Sequence, residues 1–331
     1  MFFTLRTSAF NFLSIGYTIL ILSSTLALRF LEFQPSESHD DPVQVNVLRL
    51  KWHLNLDCVE MEERKWEDLE FDCLVNVLGR VGMESLLLHV PFVCRSWHEA
   101  SRSPSCWKHL VFPQDIHLTW DVTLIDKFED YYEIHNCSED AFIKFVVGRS
   151  HGNCTVLSLP NDCSEEVLKY IADKCPALIS LSLPADHFLS SESLSILPTL
   201  IGKWEHLENL WLGSSDYLVN IITEITLACS KFSGLSVSSA TIREEEASAI
   251  VTNLPNIKSL ILRGARMDLE NLVIILQGCK NLVHLDVRDC RGFISDDERV
   301  LELASNIKTF MCEGSMLDDD EDNHQCFVNE Y

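Results

Sequence analysis

Basic residues are scarce in this chain of 331 residues: 26 lysines and arginines stand against 50 aspartates and glutamates, for a formal net charge of −24. A protein that binds the phosphate backbone of nucleic acids needs a basic surface. The shortage of positive charge therefore argues against a nucleic acid as a partner. It favours solubility and partners with basic patches instead.

Motifs of common enzymes and metal sites are also missing. No G-x-S-x-G, H-E-x-x-H, glycine-rich phosphate loop or G-x-G-x-x-G occurs, so we expect no catalytic residues and no cofactor. None of the 13 cysteines forms a C-x-x-C pair, which argues against a zinc ribbon and a dense disulfide framework. His324-x-Cys326 supplies only two ligands, too few for a tetrahedral metal site. We expect reduced, buried thiols and no bound metal.

The N-terminal segment 1–31 allows three interpretations. Residues 7–28 carry no charge and are long enough to span a bilayer. They could equally form a signal peptide with Thr25-Leu26-Ala27 at its cleavage site. The third alternative is a non-native extension, because Met61 opens a polar phrase suited to a soluble N-terminus. Residues 32–60 have the composition of a linker, and the acidic residues 315–331 that of a disordered tail.

A repeat of about 25 residues dominates the second half of the chain. Leucines stand at 157, 181, 210, 235, 260 and 285, with Phe310 next, at steps of 24, 29, 25, 25, 25 and 25. Each lies in a short phrase that alternates apolar and variable residues, which indicates a half-buried strand. The step of 29 indicates an insertion near Pro184–Pro198. A fixed period of this length predicts a stack of repeated units with a binding surface.

Helices are predicted between these strands. Thr241-x-x-Glu244 and Ser295-x-x-Glu298 fit capping boxes, and Asp162 and Asp268 are plausible N-caps. Apolar residues then recur at helical spacing, so each unit is a strand followed by a helix. Because a helix takes more room than a turn, the strands should line the inner, concave side. The repeats are predicted over 151–314, after a helical connector at 113–150.

These repeats resemble leucine-rich repeats of the cysteine-containing subclass. The phrases Cys175-Pro176-x-Leu178-x-x-Leu181-x-Leu183 and Cys279-x-x-Leu282-x-x-Leu285-x-Val287-x-x-Cys290 carry the resemblance. It implies that Cys175, Cys229 and Cys279 occupy one position, at the end of the helix before each strand, as small apolar side chains. Asn253 stands where the fourth cysteine is expected. The expected fold is an α/β solenoid, in which about seven repeats form a curved parallel sheet with outer helices.

Residues 61–112 form a separate helical module. Between Leu69 and Leu110, 21 of 42 residues are apolar, more than a segment of this size buries on itself. We expect spare apolar surface that faces another domain or another chain. Gly79 to Gly82 should end a first helix, Pro91 should start a later one, and Pro104 should follow its end.

This module resembles an F-box. The matching phrases are Trp66-Glu67-Asp68-Leu69, Asp72-Cys73-Leu74, Val77-Leu78, Val90-Pro91-x-Val93-Cys94-Arg95-Ser96-Trp97 and Pro104-x-Cys106-Trp107. Glu70 departs from the family, which usually has proline there. Together, the F-box and the repeats are similar to plant F-box/leucine-rich-repeat proteins.

The resemblance implies a non-catalytic subunit of an SCF-type ubiquitin ligase. Its F-box would bind the Skp-type adaptor, and through it a cullin–RING ligase, while the repeats hold a protein substrate for ubiquitination and proteasomal degradation. The adaptor-facing residues implied by the match are Leu69, Leu74, Val77, Leu78, Leu86, Val90 and Pro91. Val93 and Trp97 are interpreted as the module's own core.

Strand alternation predicts which side chains face outward on the concave side. The neighbours of the inward-facing leucines should form the substrate surface: Asn209, Trp211, Ser236, Ser238, Ile261, Arg263, His284, Asp286, Arg288 and Met311. An exposed Trp211 beside Ile261, ringed by Arg263 and Arg288, suits a hot spot for a partner. The two arginines leave phosphate-dependent recognition open.

The alternative is a membrane-anchored or secreted leucine-rich-repeat receptor. It would use residues 7–28 as a targeting segment, and two glycosylation sequons, Asn136-Cys137-Ser138 and Asn153-Cys154-Thr155, would suit it. The F-box resemblance instead implies the cytoplasm or nucleus, with membrane contact only if residues 7–28 are a real anchor.

Overall fold

A computed structural model describes residues 69–113, 122–160, 163–183, 195–238 and 240–317. The hydrophobic segment, the linker and almost all of the acidic tail lie outside these ranges. So do Asp162, His324, Cys326 and most of the predicted insertion after Pro184. The predictions made for those residues therefore stay predictions.

The chain from Leu69 to Trp107 folds into short helices whose ends follow its glycines and prolines. These are α1 (Phe71–Leu78), α2 (Met83–Leu88), a 3-10 turn (Val90–Phe92), α3 (Arg95–Ser101) and a second 3-10 turn (Pro104–Trp107). Gly79 ends α1, and Gly82 precedes α2 at φ 85°, a left-handed conformation that glycine adopts without a Cβ penalty. Pro91 is the second residue of the first 3-10 turn and Pro104 the first residue of the second, positions at which a missing N–H costs nothing.

Eight parallel strands form the main sheet. They are β1 (His109–Val111), β2 (Val156–Ser158), β3 (Ser180–Ser182), β4 (Asn209–Leu212), β5 (Gly234–Val237), β7 (Ser259–Ile261), β9 (His284–Asp286) and β10 (Thr309–Met311), and they lie side by side in this order. The strands β6 (Thr241–Ile242) and β8 (Arg266–Met267) pair separately beside it.

The repeating leucines lie in one row across this sheet, as the period of 25 predicted. Leu157, Leu181, Leu210, Leu235, Leu260 and Leu285 are partners in the strand register and are at most 1% exposed. Leu110 of β1 extends the row and pairs with Leu157. The helical module thus contributes the first strand of the repeat sheet, which the sequence alone did not indicate.

Helices cover one face of the sheet. They are α4 (Leu124–Tyr132), α5 (Glu139–Gly148), α6 (Glu165–Lys174), α7 (Leu197–Ile201), α8 (Leu218–Ala228), α9 (Glu244–Asn253), α10 (Leu269–Gly278) and α11 (Glu298–Ala304). From α5 to α11 each helix packs against the next one along the chain. The apolar side of each helix is buried, as Ile221, Ile222 and Ile225 of α8 show. The other face of the sheet, called the open face below, carries no helix among the described residues.

The predicted helix starts are partly wrong. Thr241 lies in β6, and α9 begins at Glu244 after Arg243, whose backbone N–H donates to Glu246 Oε2 at 2.8 Å. The helix α11 is capped by Asp297 rather than Ser295, with Oδ1 accepting from the Val300 N–H at 3.1 Å. The short β6–β8 pair displaces the first cap, because Thr241 is already used in a strand.

The recurring cysteines occupy the position that the resemblance implied. Cys175, Cys229 and Cys279 are buried at helix C-caps, where their N–H groups donate to helix carbonyls at 2.8, 2.8 and 2.9 Å. The fourth place is taken by Leu254, so the assignment of Asn253 was wrong by one residue. Leucine fills the same apolar site. Burial raises the pKa of the Cys229 and Cys279 thiols to about 11.

Candidate functional site

The core of the helical module contains four of the seven residues expected to face an adaptor. Leu74, Leu78, Leu86 and Val90 are only 1–2% exposed, so in this structure they pack inside the chain. Trp97, expected in the core, is 6% exposed. The burial follows from the packing of α1 against α3 and of α2 against the first 3-10 turn and β1, which leaves a second set of side chains on the surface.

The side chains of that second set are apolar, and together they are called the docking face below. Phe71, Phe92 and Val93 are 50, 57 and 38% exposed, and Leu69, Val77 and Pro91 are half-buried. The interpretation of Val93 as a core residue was therefore wrong. Sequence alone did not separate the two sets, because the helices here are six to eight residues long and their periodicity is weakly defined.

The helical module, including Phe92 of the docking face, packs against α4. The Phe92 ring lies 5.8 Å from the rings of Tyr131 and Tyr132 in α4, and the Tyr132 hydroxyl donates to the Leu87 carbonyl at 2.8 Å. The ammonium of Lys127, also in α4, pairs with Glu84 at 3.0 Å. Together with the β1–β2 pairing, these contacts make the helical module continuous with the repeats.

Arg149 adds a further link at the end of α5. Its guanidinium lies over the rings of Trp107 and Phe145, 5.0 and 4.6 Å from their centroids. Burial lowers the pKa of Arg149, yet the cation is stabilised by the faces of the two rings. Trp107 is itself buried, and its indole N–H donates to the Ser101 carbonyl at 2.7 Å.

Two rows of side chains make up the open face. One row runs Val111, Ser158, Ser182, Trp211, Ser236, Ile261, Asp286 and Met311, and the other runs His109, Val156, Ser180, Asn209, Gly234, Ser259, His284 and Thr309. The predicted substrate residues of the strands thus all fall on one surface. Trp211 is the most prominent of them at 39% exposed, whereas Ile261, His284 and Met311 are half-buried.

The two arginines at the ends of these strands are already paired. Arg263 binds Asp289, with Nε and Nη2 at 2.9 and 2.8 Å from Oδ2. Arg288 binds Asp286 in a bidentate pair at 2.9 and 2.7 Å, and this guanidinium lowers the pKa of the Asp286 carboxyl. Asp286 is only 4% exposed, so it serves the pair rather than a partner. The structure does not present these arginines as free phosphate ligands.

The side chain of Asn209 lies over Gly234 of the adjacent strand, which the residues around Asn209 in the sequence did not indicate. It lies between Ser180 and Gly234 in the register, and its Nδ2 donates to Ser180 Oγ at 3.4 Å. A Cβ added to Gly234 would collide with Asn209 Oδ1, so the carboxamide extends over the glycine. A glycine inside a strand often marks such a close approach, and this is the signal that could have found it.

Comparison with known proteins assigns the first module. Residues 66–109 match the model of the F-box domain. This F-box match is followed along the chain by the sheet of strand–helix repeats. The chain is 28% identical over 229 residues to an F-box/LRR-repeat protein of Arabidopsis thaliana, covering 68% of this chain and 72% of that protein. It is 25% identical over 263 residues to the F-box protein FBW2 of the same plant, covering 76 and 75%.

Among solved structures, the chain resembles one from the crystal structure of the Rad7 and Elc1 complex in yeast. The identity is 18%, the TM-score is 0.39, and the match covers 58% of this chain and 51% of that one.

Among the described residues, no helix has the length and apolar character needed to cross a membrane. Nor do three or more histidine, cysteine, aspartate or glutamate side chains gather there in a way that could hold a metal ion. Residues 7–28 and His324-x-Cys326 lie outside the described ranges.

Proposed function

We propose that this chain is the substrate-recognition subunit of a cullin–RING ubiquitin ligase. The F-box match at residues 66–109 is the observation that carries the proposal. The F-box binds a Skp-type adaptor, and the repeats hold a protein substrate for ubiquitination and degradation. The chain itself transfers no ubiquitin, since the catalytic components are other chains.

The docking face supplies the adaptor contact in this proposal. Leu69, Val77 and Pro91 take part together with the exposed Phe71, Phe92 and Val93. Leu74, Leu78, Leu86 and Val90 support this surface from beneath. Full burial of a large apolar side chain contributes about 1.5–3 kcal/mol, so the half of each phenylalanine that is still exposed contributes about 1 kcal/mol on docking.

The direct connection between the F-box and the repeats supports the proposal that one binds the adaptor and the other the substrate. Because β1 of the F-box pairs with β2 of the repeats, a substrate on the open face has a fixed place relative to the docking face. A bound substrate then experiences a high effective concentration of the ligase. A flexible connection between the two ends would weaken that effect.

Binding of a recombinant plant Skp-type adaptor tests the proposal. The double variant Phe71→Ala, Phe92→Ala should lose about 2 kcal/mol, or about thirtyfold in affinity, without unfolding because both side chains are half exposed. Leu227→Ala is a matched control, since Leu227 is 76% exposed on α8, away from the docking face. Equal adaptor binding by the wild-type chain and the double variant would contradict the proposed contact.

We place this activity in the cytoplasm or the nucleus. All eleven described cysteines are free, and eight of them are buried. Reduced thiols are the usual state in those compartments. A membrane-anchored form would depend on residues 7–28, which lie outside the described ranges.

A further inference from the structure

We propose that the open face binds an extended, unphosphorylated peptide segment of the substrate through Asn209 and Trp211. An aromatic or large aliphatic side chain of the peptide packs on the Trp211 indole, and its backbone bonds to the Asn209 carboxamide. The inference rests on the proposed function, in that it takes the open face to be the substrate surface. It adds the chemical class of the segment that is recognised.

Trp211 is suited to hold an apolar side chain. Its register partners on the two adjacent strands are Ser182 and Ser236, both much smaller than an indole. Trp211 is 39% exposed and Ser182 is half-buried, whereas Ser236 is buried. An apolar side chain can therefore reach the exposed part of the indole. A tryptophan offers a large contact area with little loss of side-chain entropy, which is why it often dominates binding energy.

Asn209 is suited to hold a peptide backbone. It lies two residues before Trp211 on the same strand, so both side chains face the same way about 7 Å apart. Its Oδ1 accepts no hydrogen bond from the described residues, and its Nδ2 makes one long bond, to Ser180 Oγ at 3.4 Å. A carboxamide has a donor and an acceptor side by side, which matches the C=O and N–H of an extended peptide.

Gly234 holds this carboxamide in place by having no side chain. The nearest atoms that an added Cβ would meet all belong to the Asn209 side chain. An alanine at 234 must therefore push the carboxamide aside, while the strand backbone can stay where it is. This makes Gly234 a positioning residue that touches no peptide itself.

Phosphate is not the group that this surface is built to bind. The cations at the end of the face, Arg263 and Arg288, are each paired with a carboxylate of the chain at 2.7–2.9 Å. Each guanidinium thus uses two of its five N–H donors on a carboxylate, and a phosphate bound by the remaining donors would lie close to the negative charge of Asp286 or Asp289. An uncharged apolar segment at Trp211 meets no such cost.

The test uses the full chain in complex with the adaptor and two pools of short random peptides, one plain and one with a fixed phosphoserine. Wild-type chain should enrich plain peptides that share an aromatic or large aliphatic residue. Their affinity should fall at least tenfold in Trp211→Ala and severalfold in both Asn209→Ala and Gly234→Ala. Gly202→Ala is the matched control and should change nothing, because a Cβ there has no atom within 4 Å.

Three results would overturn the inference. They are enrichment only from the phosphoserine pool, no enrichment at all, or peptide affinities of Trp211→Ala and Asn209→Ala that equal the affinity of the wild-type chain. Asn209→Ala keeps the test valid if Gly234→Ala fails to fold. Adaptor affinity measured on the same samples separates the two proposals. If the adaptor binds and no peptide does, only this inference fails, whereas peptide binding without adaptor binding would overturn the docking proposal.

Discussion

Arg288 donates two hydrogen bonds to Asp286, from Nε to Oδ1 at 2.9 Å and from Nη2 to Oδ2 at 2.7 Å. The guanidinium lowers the pKa of this carboxyl, which is buried. A carboxyl whose pKa is lower in the folded chain than in the unfolded chain stabilises the folded state at pH values above its unfolded-state pKa, which is about 3.9. That stabilisation is lost as the pH falls through the folded-state pKa.

The variant Arg288→Gln should therefore lower the free energy of unfolding by about 1–3 kcal/mol at neutral pH, because it leaves the Asp286 carboxylate without its main donor. Urea unfolding at a series of pH values should show the difference from wild type shrinking below about pH 4. Arg263→Gln is the control, since its partner Asp289 is half exposed and such surface pairs contribute about 0–1 kcal/mol. A difference that stays constant into acid would contradict the assignment.

Adjacent residues of β9 should differ sharply in their effect on stability. Leu285 is fully buried in the leucine row, so Leu285→Ala should cost about 2–5 kcal/mol. His284 lies on the open face, and His284→Ala should change the free energy of unfolding by about 0.5 kcal/mol or less. Chemical denaturation of both variants checks the register, and similar values for the two would show that it is wrong.

The two aspartates at the starts of α10 and α11 should also differ in how much they stabilise the chain. Asp297 accepts a hydrogen bond from the Val300 N–H at 3.1 Å, so Asp297→Ala should cost about 1 kcal/mol. Asp268 has the N-cap position of α10 without a side-chain cap bond, so Asp268→Ala should cost only a few tenths of that. Thermal unfolding curves distinguish the two, and an equal loss would refute the difference in capping.

Thiol reactivity should follow burial. Burial raises the pKa of the Cys106, Cys229, Cys279 and Cys290 thiols to about 11, and these side chains are at most 5% exposed. Cys73 is the exposed cysteine among the described residues. Among these described cysteines, mass spectrometry after brief alkylation of the folded chain should find Cys73 modified first, because its side chain is the one that the reagent can reach. Early modification of Cys229 or Cys279 would contradict their place at the helix ends.

The sequence predicted the repeat sheet well because its signal is long and regular. From Leu210 to Leu285 the inward leucines follow one another at steps of 25 residues, and the register confirms the whole row from Leu157 to Leu285. The pairing of Leu110 with Leu157 could not be predicted in the same way. The two are 47 residues apart, so β1 falls outside the period, and only three-dimensional packing shows that it belongs to the sheet.

The candidate sites were less predictable for a different reason. Both Leu74 and Phe71 are apolar residues of α1, and a helix of eight residues gives too few turns to tell which one is buried. The pairing of Arg263 with Asp289 joins residues 26 apart in sequence, and nothing local indicates it. Side-chain partners across neighbouring repeats depend on the turn geometry, here Asp289 at φ 58°.

Assembly of the chain with a ligase depends, in the proposed function, on the docking face. Size-exclusion chromatography with light scattering should therefore be run on the chain mixed with a recombinant Skp-type adaptor and the N-terminal domain of a cullin. Wild type and Leu227→Ala should form a complex containing one copy of each chain, and Phe71→Ala, Phe92→Ala should not. Elution of the folded wild-type chain apart from the adaptor would show that the proposed function is wrong.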